Sequence, residues 1–137
     1  MKKRAQAYGV QGIIDAARER LVERTKIQPI TSESIEIPPA KLTEYALNPE
    51  HPVGKHKAKV FESALGYTLD NYQDLIDNIK EGVKKYPMEI HGENSYGDLF
   101  HCDIEITGAN GNTAVVRTGW IIKKETYFYR LTTIFVL

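Results

Sequence analysis

The chain carries a single cysteine, Cys102, among its 137 residues. An internal disulfide is therefore excluded, which fits a reducing compartment or a fold that needs no covalent staple. No run approaches the about 20 apolar residues of a membrane-spanning helix. Met1-Lys2-Lys3-Arg4 is basic, but no apolar segment of the secretory-signal kind follows it. Charge of one sign is also lacking, since 18 basic and 18 acidic residues cancel. A neutral chain does not grip nucleic acid over its whole surface, so any phosphate affinity has to come from a local patch. Glycine-rich phosphate loops, a dinucleotide fingerprint and a Gly-x-Ser-x-Gly elbow are absent. So are cysteine pairs and a His-x-x-x-His spacing, and the four histidines form no recognisable ligand set for a metal or cofactor. Cys102 falls on the apolar side of an alternating stretch and reads as a small buried hydrophobe.

What is present is a change of period along the chain. Residues 1–28 read as an amphipathic helix with Val10, Ile13, Ile14, Ala17 and Leu21 on one stripe. Residues 29–40 read as a linker, with Pro38-Pro39 forbidding a regular helix. We therefore expect 1–40 to be a helical joint to a carrier region and 41–137 to be the compact domain. Residues 41–47 make a helical turn or two. A second helix starts near Lys55, carries Ala58, Phe61, Ala64 and Leu65 on one face, and ends at Gly66 as a left-handed cap. Asp70 is the expected N-cap of a third helix, whose stripe is Tyr72, Leu75, Ile76, Ile79 and Val83, and Pro87 stops it. Beyond Pro87 the period becomes two. Phe100, Cys102, Ile104 and Ile106 alternate with His101, Asp103 and Glu105, and Gly-Ala-Asn-Gly at 108–111 marks a hairpin. Thr113 to Lys123 and Tyr127 to Leu137 follow as strands. The expectation is an α+β fold, with helices packed on one face of an antiparallel sheet of roughly four strands.

The chemistry concentrates between Asn48 and Gly66. Two histidines, His51 and His56, and three lysines, Lys55, Lys57 and Lys59, fall around a rigid turn and the first turn of a helix. RNA cleavage without a metal needs a base for the 2′-hydroxyl, an acid for the leaving oxygen, and cations for the charge on phosphorus. Histidine suits the first two tasks near neutral pH and lysine the third. The competing reading is a solvated, charged helix start. A second set sits on the strands. Arg117, Arg130 and Thr132 occupy positions that alternation can point away from the core, where they could grip phosphate. An Arg paired with Asp103 or Glu105 across the sheet explains the same residues without function. Trp120 reads as core, or as a base-stacking platform if it lies at the rim.

Lys41-Leu-Thr-Glu-Tyr-Ala-Leu-Asn-Pro-Glu-His-Pro-Val-Gly-Lys-His-Lys-Ala-Lys-Val-Phe61, Leu65-Gly-Tyr67, Ile106-Thr-Gly-Ala-Asn-Gly-Asn-Thr-Ala114, Thr118-Gly-Trp120 and Arg130-Leu-Thr-Thr133 resemble a family of small C-terminal domains. These domains end bacterial polymorphic toxins, contact-dependent inhibition proteins among them, and also follow phage Mu F-like modules. The order of helices before strands is similar to the barnase/EndoU/colicin/RelE-like ribonuclease fold. Lys55-His56-Lys57 looks like the Lys/His cluster of colicin D-type tRNA nucleases. The resemblance implies a metal-independent ribonuclease toxin without a cofactor, directed at RNA and in particular at tRNA. Its catalytic set would be His56, His51, Lys57 and Thr132. Lys55, Lys59, Arg117, Arg130 and Trp120 would hold RNA. It also implies secretion on a larger protein, action in the target-cell cytoplasm, and an acidic immunity protein over the basic loop. The alternative it leaves open is a non-catalytic phage or secretion-system interaction module.

Overall fold

The computed structural model describes residues 30–137, and the helix expected over 1–28 lies outside the described residues. Thr31 caps a 3-10 turn, Ser32–Ser34, and a two-residue strand β1, Ile35–Glu36, follows. Ile35 is buried in the core. The stretch expected to be a linker therefore supplies a strand. Two residues between a capped turn and a proline pair are too short to show alternation, which is why the strand has no sequence signal.

Leu42–Ala46 form a π-helical turn that buries Leu42 and Ala46. Helix α1 spans Lys55–Leu65 and ends, as its sequence predicts, at Gly66 in the left-handed conformation (φ 76°). Its buried face is Ala58, Phe61 and Leu65. Burying a side chain the size of Phe61 or Leu65 contributes about 1.5–3 kcal/mol each. Helix α2 spans Tyr72–Gly82 and buries Leu75, Ile76 and Ile79. Its entry differs from the expected Asp70 cap. Thr68 caps a 3-10 turn, Leu69–Asn71, through its side chain, and Asn71 is the residue flanking the helix. Thr68 and Asn71 form a reciprocal capping box, which takes over the role that Asp70 alone would have had.

Four longer strands follow: β2 Glu89–Asn94, β3 Gly97–Thr107, β4 Thr113–Lys123 and β5 Tyr129–Val136. The sheet order is β1-β5-β4-β3-β2. The four longer strands pair antiparallel, while β1 lies parallel to β5 through Ile35↔Tyr129 and Glu36↔Arg130. The sheet is thus mixed and five-stranded, one strand more than expected. Phe100, Cys102, Ile104 and Ile106 on β3, and Val116, Thr118, Trp120 and Ile122 on β4, are buried, as their alternation predicts. One core cluster joins them to Phe61, Leu65, Leu75 and Ile79 of the helices. Thr118 is the one buried polar residue there among those described. Its hydroxyl donates to the Cys102 carbonyl (2.7 Å) and accepts from the Trp120 indole (2.7 Å), so neither polar group is stranded. Between Gly119↔Thr133 and Trp120↔Leu131 the register shifts and leaves Thr132 unopposed on β5. Such a bulge re-aims a side chain, and Thr132 is exposed.

Candidate active-site cleft

Two local structures hold the loop before α1 against the π-helical turn. The first is at His51. Its Nδ1 accepts the backbone N–H groups of Val53 (3.0 Å) and Gly54 (2.9 Å). A ring nitrogen that accepts twice carries no proton, so the neutral ring holds its hydrogen on Nε2 and presents an N–H donor there. The ring also meets Tyr45 edge to face, with centroids 4.7 Å apart. The second is at Gly54, which is buried and packs on the Tyr45 backbone so closely that a Cβ would overlap the Tyr45 carbonyl. Only glycine allows that approach.

This packing sets the place of Lys57 on the first turns of α1. Its Nζ donates to Thr133 Oγ1 at 3.2 Å and stands 5.0 Å from the Tyr45 ring centroid and 5.4 Å from that of Phe135. Half-burial of the side chain lowers its pKa below the ordinary lysine value. The two ring faces favour the ammonium and work against that shift. Among the described residues no carboxylate forms an ion pair with it. Lys57 opens onto a cleft of about 490 Å³ lined also by Lys41, Glu44, Tyr45, Arg130, Thr132 and Thr133. Arg130 is steadied from outside by Glu36, its neighbour on β1, which accepts from Nη1. Three cations, Lys41, Lys57 and Arg130, thus face one cleft together with the Glu44 carboxylate and the hydroxyls of Tyr45, Thr132 and Thr133. Cations and hydroxyl donors so gathered are chemically able to receive an anion.

Of the residues singled out in the sequence, Lys57, Arg130 and Thr132 come together here, and His51 reaches the same Tyr45 ring. The others do not join them. Lys55, His56 and Lys59 lie along a second cavity of about 640 Å³, with Leu47, Tyr67 and Leu69. The helical turn explains the split, because residues two apart point to nearly opposite sides while i and i+4 share one. Arg117 is engaged elsewhere. It is the register partner of Asp103 and bonds it through Nε and Nη2, both at 2.8 Å. Those bonds hold the Asp103 carboxyl below its usual pKa. Arg117 is thus the cross-strand pair and not a partner of Arg130. Trp120 is 1% exposed, so it stands in the core and offers no face to a base. Its alternation with Val116 and Ile122 put it there. His101, outside the expected set, bonds Glu89 at 3.1 Å and meets the His91 ring. Among the described residues no three His, Cys, Asp or Glu side chains gather in a way that holds a metal ion.

Sequence reasoning passed over Tyr45 and Thr133. Tyr45 had a signal, since it lies on the turn just before the basic loop. Thr133 had none, because its partner Lys57 is 76 positions away.

The comparisons with known proteins follow the same outline. Residues 29–137 match the model of a domain of unknown function, DUF6883. No curated protein matches the chain. Its fold is similar to a chain of a contact-dependent growth inhibition toxin–immunity protein complex from Klebsiella pneumoniae 342. The TM-score is 0.57 at 13% identity, over 76% of this chain and 99% of that one. At that identity the likeness is one of fold. No helix among the described residues is long and apolar enough to cross a membrane. With the family model covering the whole described part, the chain belongs to the DUF6883 family.

Proposed function

We propose that the chain is a toxin module of the contact-dependent inhibition kind, and that it cleaves RNA without a metal ion in the cleft around Lys57. The observation that carries the reading is Lys57 itself. A half-buried lysine that forms no ion pair with a carboxylate among the described residues, aimed into a cleft with Arg130 and Thr132, is costly to keep as an ammonium unless an anion occupies the site. The fold shared with a chain of a toxin–immunity complex supports the toxin class.

The chemistry we assign runs as follows. Burial shifts the Lys57 equilibrium from ammonium towards amine, and it is the amine form to which we assign the proton of a ribose 2′-hydroxyl. The 2′ oxygen attacks phosphorus, and Arg130 with the Thr132 hydroxyl stabilises the charge on the non-bridging oxygens. The bond from phosphorus to the 5′ oxygen breaks, and the Lys41 ammonium gives that oxygen its proton. His51, set against the Tyr45 ring of the cleft wall, presents Nε2–H as a fixed donor. The products are a 2′,3′-cyclic phosphate and a 5′-hydroxyl end. His56, on the other wall of α1, falls to substrate binding in this scheme. The substrate class is RNA, with tRNA the narrower expectation. The producing cell needs an immunity protein, and an acidic surface over the cleft mouth would match Lys41, Lys57 and Arg130. Delivery on a larger secreted protein into the target-cell cytoplasm completes the reading.

Induced expression of the chain in a bacterial host, with growth followed and total RNA run on a denaturing gel, tests it. Growth arrest with discrete RNA fragments, both lost in Lys57→Met, is the expected result. Normal growth with intact RNA from folded wild-type protein would leave a non-catalytic interaction module instead.

A further inference from the structure

The larger cavity lies on the far side of α1 from Lys57, and of its lining that scheme gives a part to His56 alone. Its floor is apolar, made by Leu47, Ala58 and Tyr67, all buried. Leu69, 41% exposed, forms its lip on the 3-10 turn before α2. Two kinds of charge stand on the rim. Lys55 and Lys59 are one helical turn apart on α1 and point the same way. Glu62 continues their row, and Asp70 faces it from the 3-10 turn. The α1 first turn carries no acidic residue, so Lys55, its first residue, stands at a helix end already positive, with Lys59 one turn further in.

We infer that this cavity is a nucleotide subsite for a base that carries an exocyclic amino group, next to the scissile phosphate. The inference rests on the ribonuclease reading and names the part of the substrate it binds. The apolar floor and the Leu69 lip take the flat face of an unstacked base. Lys55 and Lys59 hold its phosphate. The Glu62 and Asp70 carboxylates accept from the amino group, as acidic side chains accept from the cytosine amine. The volume of about 640 Å³ admits a whole nucleotide. Because Lys57 and the Lys55/Lys59 pair lie on opposite sides of one helical turn, RNA crossing the start of α1 meets both. Such a strand has to be single-stranded, since a base cannot leave a duplex without unstacking. Uridine, which has no amino group, is the base the rim disfavours.

The test titrates 5′-AMP, 5′-CMP, 5′-UMP and inorganic phosphate into the full chain, followed by amide chemical shifts. Saturable shifts at Lys59, Thr68 and Leu69 are expected with AMP or CMP, about threefold or more weaker with UMP. Lys59→Ala and Leu69→Ala should each weaken binding by about threefold or more, and the second alters only an exposed lip. Lys57→Met should leave it unchanged. Absence of nucleotide-dependent shifts overturns the subsite. So does equal binding of inorganic phosphate at the same residues. RNA cleavage without nucleotide binding here would sink the subsite alone. Binding here without cleavage by any preparation would sink the ribonuclease reading and keep the subsite.

Discussion

Gly54→Ala perturbs the cleft through one methyl group. Gly54 has φ −66° and ψ −17°, a conformation any residue adopts. In open space, replacing glycine by alanine at such a position stabilises a protein by about 0.4–1 kcal/mol, because the unfolded chain loses freedom. Here the added Cβ meets only backbone. It would lie 2.8 Å from the Tyr45 carbonyl carbon and 3.3 Å from its Cα, and closer still to the carbonyl oxygen. Backbone does not rotate away, so the loop over 51–54 and the π-helical turn have to part. Overpacking of this kind costs about 1–3 kcal/mol. The contact therefore outweighs the entropic gain, for a net loss of about 1–2 kcal/mol. In a domain of about 100 residues each 1 kcal/mol lowers Tm by about 4–8 °C. A thermal or urea melt of the variant beside the wild type reads the difference. Gly111→Ala is the companion, because its φ of 86° strains any side chain while nothing lies within contact of the new methyl. It should lose about 1–2 kcal/mol through conformation alone. Gly54→Ala should also impair RNA cleavage, since Tyr45 orients both His51 and Lys57, whereas Gly111→Ala should not. A Gly54→Ala melt equal to or above wild type would refute the packing argument.

Three further outcomes are expected. Lys57 should titrate below the ordinary lysine value of 10.5, because burial disfavours its ammonium. Side-chain NMR of Lys57 should show this, with Tyr45→Leu lowering it further by removing a ring face from the cation. The stability sign follows: the folded state bears the cost of the buried charge below its own pKa, and the cost fades as pH rises towards 10.5. The Cys102 thiol, pushed up to about 12 by burial and then by the charges of Asp103 and Glu89, should resist thiol reagents at pH 8 and react only as the protein unfolds. Rapid labelling of native protein would contradict its place in the core. Ile35→Ala should cost about 2 kcal/mol in a urea melt, at the low end for a buried isoleucine because β1 is an edge strand. An unchanged midpoint would mean that β1 adds nothing to the sheet.

Most of the fold was legible wherever a period ran for several residues. The alternation of Phe100 to Ile106, the stripe from Leu75 to Val83 and the glycine cap at Gly66 each carry a local physical signal. What escaped was short or non-local. Ile35–Glu36 is a strand only because β5 is beside it. The bulge at Thr132 arises from pairing across β4 and β5, which no single segment encodes. The site was half legible for the same reason. Residue types marked Lys57, Arg130 and Thr132, but not that α1 would turn Lys55, His56 and Lys59 to another cavity. Charge at Arg117 was visible. Its engagement by Asp103 followed from a register that only the folded sheet defines.

The most direct test of the central claim is the incubation of purified chain with total tRNA in the presence of EDTA, followed by analysis of the product ends. The account predicts cleavage that survives the chelator, leaves 2′,3′-cyclic phosphate and 5′-hydroxyl ends, and disappears in Lys57→Met while His101→Ala retains it. Intact RNA from a folded protein, or cleavage that Lys57→Met keeps, would contradict it.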